Sequence, residues 1–337
     1  MRARLAAFAL LAAAGCDFTP ALDIETPPFE PAVVMRAVLL AGRPATVRLS
    51  VSGDPYAAPV ADVDRIPSAT PAGAVVTLLR DGRPVETLTA RPQTCHVSIR
   101  STCNAQTGRV DTEATGPYEC GAFGGAVAIE PGATYTVRAE VPGLPVAEAT
   151  VTVPLVPELV AAEEAGDAET RRFRVRVRDL PGAGTRFGLT LFREFGAYTA
   201  SVCRVGGPRD TLFTTGGAPS RYQTRFATGD PLLLADAREP AASLPFATFS
   251  DATFEGGEAA LSIQTDAVGT SNVVPTGGFH VQVAALSPTL YEAYQASSVT
   301  FGEENPFAEP SDLPGNVVGG YGLVGAVSFA EAPLPAR

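Results

Sequence analysis

Apolar and polar residues alternate along much of the chain with the two-residue period of β-strands. Because neighbouring side chains of a strand point to opposite faces of a sheet, this pattern predicts strands with one buried face. In the first half of the sequence, apolar runs of strand length cover residues 33–40, 45–51, 74–79 and 85–88, and a later alternation uses Tyr135, Val137, Ala139 and Val141. The pattern predicts a mainly β fold.

Two short signals indicate how these strands connect. Asp81-Gly82 separates two apolar runs, and a two-residue hairpin turn of this kind needs positive φ at both positions. Pro131-Gly132 precedes Tyr135 in a spacing that resembles a tyrosine corner, in which the phenol oxygen bonds back to the main chain. Residues 32–157 are therefore predicted to form an immunoglobulin- or transthyretin-like β-sandwich. An unrelated turn before an edge strand is the alternative.

The stretch from Pro154 to Thr170 contains prolines and several acidic residues, and the junction between two domains is predicted within it, at residues 158–170. Strict alternation of arginine with apolar residues follows it, in Arg172-Phe173-Arg174-Val175-Arg176-Val177-Arg178, and predicts a half-buried strand. The basic face of this strand could bind an anion or a lipid headgroup, although a solvated face opposite neighbouring acids is the commoner arrangement.

The remaining apolar runs extend the β pattern towards the C-terminus. They cover residues 187–192, 259–263 and 279–285. Residues 171–330 are therefore predicted to form a second β-rich domain, a sandwich or a partly open barrel, followed by a tail at residues 331–337.

One short helix interrupts this pattern. Ser287 is a favourable N-cap and Pro288 suits the first helical position. Leu290, Tyr291 and Tyr294 then share one face, for which core packing is the expected role.

The N-terminal residues combine a charged start with a short apolar core. Arg2 and Arg4 precede the apolar run 5–14, which falls short of the roughly twenty residues that span a bilayer as a helix. The run ends in small residues before Cys16, as in a lipobox. Residues 1–15 are predicted to be a lipoprotein signal peptide, Cys16 the lipidated residue, and the acidic, Pro-rich residues 16–31 an extended tether. The alternative is an ordinary secretory peptide that leaves Cys16 as a free thiol.

Composition and charge indicate a globular protein and disfavour one class of partner. The chain has 337 residues, 45% of them hydrophobic and only 18% charged, which is typical of globular domains. Its formal net charge of −11 disfavours nucleic-acid binding. Every basic residue other than the two histidines is arginine, so a coding bias alone accounts for part of the arginine clustering.

Four cysteines follow Cys16, namely Cys95, Cys103, Cys120 and Cys203. An even number of cysteines in an exported chain predicts disulfides, and four cysteines allow three connectivities between which the sequence does not choose. No C-x-x-C pair occurs and His96 is the one nearby imidazole, so no metal site is predicted.

The sequence offers little for acid–base or nucleophilic catalysis. It contains two histidines, His96 and His280, and none of the common hydrolase, metalloprotease or nucleotide-binding motifs. His280 lies in a predicted strand, where a structural role is expected. We therefore predict a non-enzyme without a cofactor. Two carboxylates meeting in a cleft would instead indicate an exported hydrolase.

The C-terminal region carries a distinctive pattern in the stretches 304–310 and 316–326. Its characteristic residues are Pro306, Phe307, Glu309, Pro310, Asn316, Gly320, Gly322 and Gly325. The pattern resembles the closing signature of a Bacteroidota lipoprotein family known as a domain of unknown function, with Asn305 in place of a usual Asp and Val317 in place of a usual Ile. The resemblance implies a lipobox, a sandwich-like N-terminal part, a β-rich C-terminal part and a TonB-dependent receptor as neighbour.

The glycines of this signature also have a physical interpretation. Gly319, Gly320, Gly322 and Gly325 predict a backbone that takes positive φ or approaches other chain closely, before a last strand through Phe329. A phosphate-binding loop is the alternative, but the segment lacks the Lys-Ser/Thr ending of such loops.

Together these features predict an outer-membrane lipoprotein, anchored through Cys16 and displayed on the surface or facing the periplasm. The leading hypothesis for its function is a non-catalytic accessory or substrate-capture partner of a TonB-dependent transporter. The alternatives are a structural or adhesive surface lipoprotein and, third, an exported hydrolase.

Overall fold

A computed structural model describes most of the chain between residues 28 and 334. The described ranges are 28–54, 70–95, 98–104, 109–115, 118–164, 170–182, 184–202, 210–224, 226–235, 246–254, 256–266, 273–300 and 314–334. Within them, the backbone alone is described for the parts that fall in 92–121 and 195–222 and for residues 170, 235, 266, 273–277 and 297–300.

The described residues are mainly in β-strands, as the sequence pattern predicts. In chain order they are β1 (Val33–Leu40), β2 (Pro44–Val51), β3 (Val75–Arg80), β4 (Arg83–Cys95), β5 (Ser98–Asn104), β6 (Arg109–Thr115), β7 (Tyr118–Ala128), β8 (Thr134–Glu140), β9 (Ala147–Thr152), β10 (Glu158–Glu164), β11 (Thr170–Arg178), β12 (Arg186–Val202), β13 (Asp210–Thr224), β14 (Ala247–Ser250), β15 (Glu258–Asp266), β16 (Val273–Leu286) and β17 (Gly320–Leu334). Two helices, α1 (Pro231–Ala235) and α2 (Pro288–Thr300), and a 3₁₀ turn at Asp251–Thr253 complete the described elements.

One large sheet runs through both halves of the sequence. Its strand order is β13-β12-β16-β17-β1-β2-β7-β4-β3-β8-β9, with β14 paired to β12. A three-stranded sheet, β10-β11-β15, and the β5-β6 hairpin are separate from it. The strand β17 therefore joins the N-terminal strands to the C-terminal ones.

The first hydrophobic core is built from the N-terminal strands. Every second residue of β1 is buried, beginning at Val33, and β8 buries Tyr135, Val137 and Ala139 in the same way. Side chains from β1, β2, β3, β8 and β9 meet in one cluster. A backbone bridge between Glu148 on β9 and Val318, just before β17, brings β9 back beside the start of β17. The alternation in the sequence is thus the alternation of core and solvent faces.

The second core lies between the large sheet and the small one. Phe187 and Phe279 on the large sheet face Phe173 on β11, and the Phe173 and Phe279 rings are 5.1 Å apart. Phe187 stacks on Phe249 at 5.0 Å. This packing leaves the other face of the small sheet open to solvent.

Strand β17 contributes to both cores. Its first half pairs in parallel with β1, from Val33 opposite Gly320 to Leu40 opposite Val327, and its second half pairs antiparallel with β16. Val324 lies in the first core and Leu334 in the second. The strands on either side of the boundary predicted at residues 158–170 therefore both pack against β17. Residues 158–164 of that predicted junction form the strand β10.

Along part of one edge β17 has no neighbouring strand, and side chains form hydrogen bonds to its backbone there. The amide of Asn316 donates to the carbonyl of Val324 and accepts from its N–H, both at 2.9 Å. The hydroxyl of Ser287 accepts from the N–H of Ala326 at 3.0 Å. Both side chains satisfy backbone groups that would otherwise lack a ladder partner.

The glycine-rich segment has the conformation that its sequence predicts. Gly319 and Gly322 have φ of 74° and 118°. A Cβ at Gly322 would overlap the carbonyl oxygen of Met35, and one at Gly320 would overlap that of Val33. The expectation of positive φ and close backbone approach is confirmed, and the segment opens a strand.

Both predicted turns of the first half are confirmed. Asp81 and Gly82 have φ of 49° and 77° and join β3 to β4. The phenol oxygen of Tyr135 accepts a hydrogen bond from the N–H of Glu130 at 3.0 Å, five residues earlier, and Tyr135 is buried. The predicted helix is present as α2, which begins at Pro288 and buries Leu290.

The tyrosine corner gives a direct test of the first core. In Tyr135→Phe the N–H of Glu130 loses its acceptor, so we expect a loss of roughly 1–2 kcal/mol in the free energy of unfolding. Urea denaturation of both proteins measures this difference. Tyr321→Phe is the control, because Tyr321 is 60% exposed and its change is expected within about 0.5 kcal/mol. Equal stability of Tyr135→Phe and the parent would contradict the prediction.

The helices of the described part are short. None of them is long and apolar enough to cross a membrane. The five-residue α1 was not foreseen in the sequence, although Asp230 caps it and Pro231 starts it.

Candidate functional site

The small sheet carries an open trough on its solvent side. The trough has a volume of about 460 Å³ and is lined by β11, β15 and the segment 227–229. Its polar side chains are Arg172, Arg174, Thr228, Ser262 and Gln264. A volume of this size falls within the range of small-molecule sites.

The alternating sequence of β11 creates one wall of the trough. Phe173, Val175 and Val177 are buried in the second core, so the arginines between them point to solvent. The stripe of four arginines divides into two pairs. Arg178 contacts Glu158 at 2.6 Å and Glu258 at 2.9 Å, and Arg176 lies 3.8 Å from Glu258. The hydrogen bond to Glu258, followed by the charge of Glu158, raises the pKa of Arg178.

The other pair, Arg172 and Arg174, lines the trough without such neutralisation. Among the described residues, neither guanidinium forms an ion pair or a side-chain hydrogen bond. Glu163 on β10 lies opposite Arg174 in register, so the two side chains share the exposed face of the small sheet, but they form no ion pair. The N–H groups of both arginines are therefore available to a ligand, and Arg172 has no carboxylate opposite it on β15.

The floor of the trough is polar and uncharged. In the β11–β15 register, Arg172 lies opposite Gln264 and Arg174 opposite Ser262. Residues directly opposite in antiparallel strands have Cβ atoms roughly 5 Å apart. The four side chains consequently form a compact array of hydrogen-bond donors, and the Ser262 and Gln264 side chains have no partner within the described part of the chain.

The segment 227–229 forms the wall opposite β11, and hydrogen bonds hold it against β15. Ala227 and Gln264 exchange two backbone hydrogen bonds of 2.7 and 2.8 Å. The hydroxyl of Thr228 donates to the carbonyl of Ser262 at 2.7 Å. Asp230 accepts from the N–H of Ser262 and from that of Leu232, both at 3.0 Å. Asp230 thus fixes the wall, and its carboxylate oxygens are engaged by these N–H groups.

A second polar cluster surrounds His280, on the outer face of β16. The Nε2 of His280 lies 2.9 Å from Glu194, and its Nδ1 lies 3.2 Å from Glu331 without forming a hydrogen bond. The histidine is in a strand, as predicted, and nearly buried. The two carboxylates flank opposite nitrogens of the ring, so they do not converge on one position. No group of ligands suited to a metal ion occurs among the described residues.

Three charged side chains border the second core near Phe279. Arg171 pairs with Glu164 at 3.0 Å, and the guanidiniums of Arg171 and Arg193 lie 5.1 and 4.8 Å from the centre of the Phe279 ring. Burial, together with the charge of Arg171, lowers the pKa of Arg193. These contacts are to core groups and do not line the trough.

The structure describes the sequence-predicted cysteines only in part. Cys16 and Cys203 lie outside the described residues. Cys95 pairs with Tyr118 and Cys120 with Gln93 on the adjacent strands β4 and β7, while Cys103 lies on β5. Their side chains are not among those described, and no disulfide is seen in the described part, so the disulfides stay a prediction.

The residues of the C-terminal family signature are also described only in part. Pro306, Phe307, Glu309 and Pro310 lie outside the described residues. Asn316, Gly320, Gly322 and Gly325 all hold β17 in place, Gly325 by leaving room for Leu290 of α2. These four residues are not part of the trough.

The sequence alone predicts the β11 wall of the trough but not its floor on β15 or its other wall. The arginine alternation of β11 is visible in the sequence, whereas Thr228, Ser262 and Gln264 carry no local signal. The strand register brings them together.

Comparison with known proteins does not identify a family. No protein-family model matches this sequence, and no curated protein is significantly similar to it.

Proposed function

We propose that this chain is an outer-membrane lipoprotein, anchored through lipid on Cys16, that captures a ligand as a non-catalytic accessory of a TonB-dependent transporter. The observation that carries the capture role is the open trough with Arg172 and Arg174 on one wall. Its donor groups are preformed on rigid strands, as a binding site requires.

The anchoring and the transporter rest on the sequence. Small residues precede Cys16 after a short apolar run, and the 316–326 stretch resembles a family whose members accompany such receptors. The acidic residues 16–31 supply a tether between a lipid and the first strand.

Membrane fractionation tests the anchor. We expect the full chain to be recovered with the outer membrane and to carry acyl chains on Cys16 by mass spectrometry. Cys16→Ser is the matched variant and is expected in the soluble fraction. Recovery of the parent chain in the soluble fraction, without acyl chains, would contradict the anchor.

Co-purification tests the transporter partnership. A tagged full chain, extracted with mild detergent from its own host, is expected to bring a TonB-dependent receptor with it. Recovery of the acylated chain without any receptor, after chemical crosslinking in the intact cell, would contradict the accessory role.

A further inference from the structure

We propose that the trough binds a small ligand through one oxyanion group, a phosphate or a carboxylate, held jointly by Arg172 and Arg174. The proposal rests on the capture role above and names the class of ligand. Its support comes from the charge, the register and the shape of the trough.

The two arginine pairs of β11 differ in their charged neighbours. Arg176 and Arg178 face solvent on the same side of β11 as Arg172 and Arg174, but they are matched by Glu158 and Glu258. No described carboxylate forms an ion pair with Arg172 or Arg174, although Glu163 is the cross-strand neighbour of Arg174. A chain with a net charge of −11 therefore exposes two adjacent cations where its surface is concave.

The strand register surrounds the two guanidiniums with hydrogen-bond donors. Alternate residues of a strand are about 7 Å apart, so two long arginine side chains can both reach a group placed between them. Gln264 and Ser262 lie across from them on β15 and offer further donors. Arginine presents its N–H groups in a planar fork that matches the oxygens of carboxylate and phosphate. The array thus suits an oxyanion better than a neutral or cationic ligand.

Gly229 lies on the wall of the trough opposite the arginines. A Cβ at this position would meet no atom within 4 Å, and the residue has no positive φ. The missing side chain leaves space beside the donor array. A ligand whose oxyanion contacts the arginines has room for its remaining atoms there.

Two carboxylates lie near enough to be considered as competitors. Asp230 is engaged by the N–H groups of Ser262 and Leu232. Glu163 on β10 faces the same side as Arg174, its cross-strand neighbour, but it does not line the trough, which is bounded by β11, β15 and residues 227–229. Neither occupies the position between Arg172 and Arg174.

Calorimetric titration of the full chain in detergent with inorganic phosphate, at constant ionic strength, tests the proposal. We expect saturable binding that weakens at least tenfold in Arg172→Gln/Arg174→Gln. Arg176→Gln removes an arginine from the same strand and face and is expected to change the affinity less than threefold. Gly229→Asp, which has room for its side chain, is expected to weaken binding at least fivefold by adding a negative charge to the opposite wall.

Parallel titrations with acetate and citrate identify the group. Tighter binding of phosphate supports a phosphorylated ligand, and tighter binding of acetate or citrate supports a carboxylate ligand. Absence of saturable binding for all three anions, or equal affinity in the parent and the double arginine variant, would overturn the proposal. These titrations need no receptor. Retained anion binding without receptor recovery removes the transporter role alone, and receptor recovery without anion binding removes the ligand class alone.

Discussion

Replacing Gly322 with alanine is expected to lower the free energy of unfolding by roughly 3–5 kcal/mol. Gly322 has φ of 118°, a conformation that costs an L-residue about 1–3 kcal/mol. A Cβ at this position would also overlap the carbonyl oxygen of Met35 on β1, which is backbone and cannot rotate away. Separating β17 from β1 to relieve that overlap would disturb the packing of Val324, at a cost of about 1–3 kcal/mol more.

Gly182→Ala separates these two contributions. Gly182 has φ of 108°, close to that of Gly322, but no atom lies within 4 Å of its Cβ position. Its alanine variant should therefore lose only the conformational part, about 1–2 kcal/mol. Urea midpoints and slopes of the parent and both variants provide the measurement. If Gly182→Ala and Gly322→Ala lost equal stability, the close approach of β1 and β17 would have no energetic weight.

Removing residues 314–334 is expected to unfold the first core as well as the second. Eight residue pairs join β1 to β17, and Val324 and Ala326 are fully buried in the first core. The loss is comparable with the whole stability of a domain, about 5–15 kcal/mol. A fragment of residues 28–157 should therefore lack cooperative thermal unfolding by circular dichroism and gain it when a peptide of residues 314–334 is added.

The control peptide carries Val324→Asp and Ala326→Asp, which place charges in the first core. It should leave the 28–157 fragment unfolded. Cooperative unfolding of that fragment alone, at the midpoint of the full chain, would show that β17 is dispensable and that residues 28–157 form an independent domain.

Local features of the fold were predictable because short-range chemistry decides them. The Asp81-Gly82 turn needs two residues that tolerate positive φ, and Tyr135 finds its partner five residues back. Ser287 and Pro288 mark the start of α2. Each of these signals is complete within a few residues, so a single sequence suffices to find it.

Long-range pairing could not be predicted in the same way. The apolar, glycine-containing run 320–329 indicates a strand but not its neighbours, because any strand edge offers the same N–H and C=O groups. The pairing of β17 with β1 is therefore not predictable from local sequence. β10 was missed since its residues 158–164 are rich in acids and alanine, and its pairing with β11 decides its conformation.

The candidate site was predictable to the extent that its residues are sequential. Arg172 and Arg174 stand out because they alternate with buried residues of their own strand. Ser262 and Gln264 enter the trough through the register of β15, and Thr228 through a bridge to that strand. Glu158 and Glu258 determine which arginines are neutralised. The local sequence does not predict that these two carboxylates lie beside Arg178.

The parallel pairing of β1 with β17 also sets the order in which an exported chain can fold as it leaves the translocon. β1 emerges early, whereas its partner emerges after every other described strand. Contacts between residues so far apart in sequence form slowly, and an unpaired strand edge is meanwhile open to aggregation. The N-terminal half must therefore be kept from misassociating until β17 has been exported, so chaperone binding to the emerging chain should be prolonged and chains truncated before β17 should be degraded.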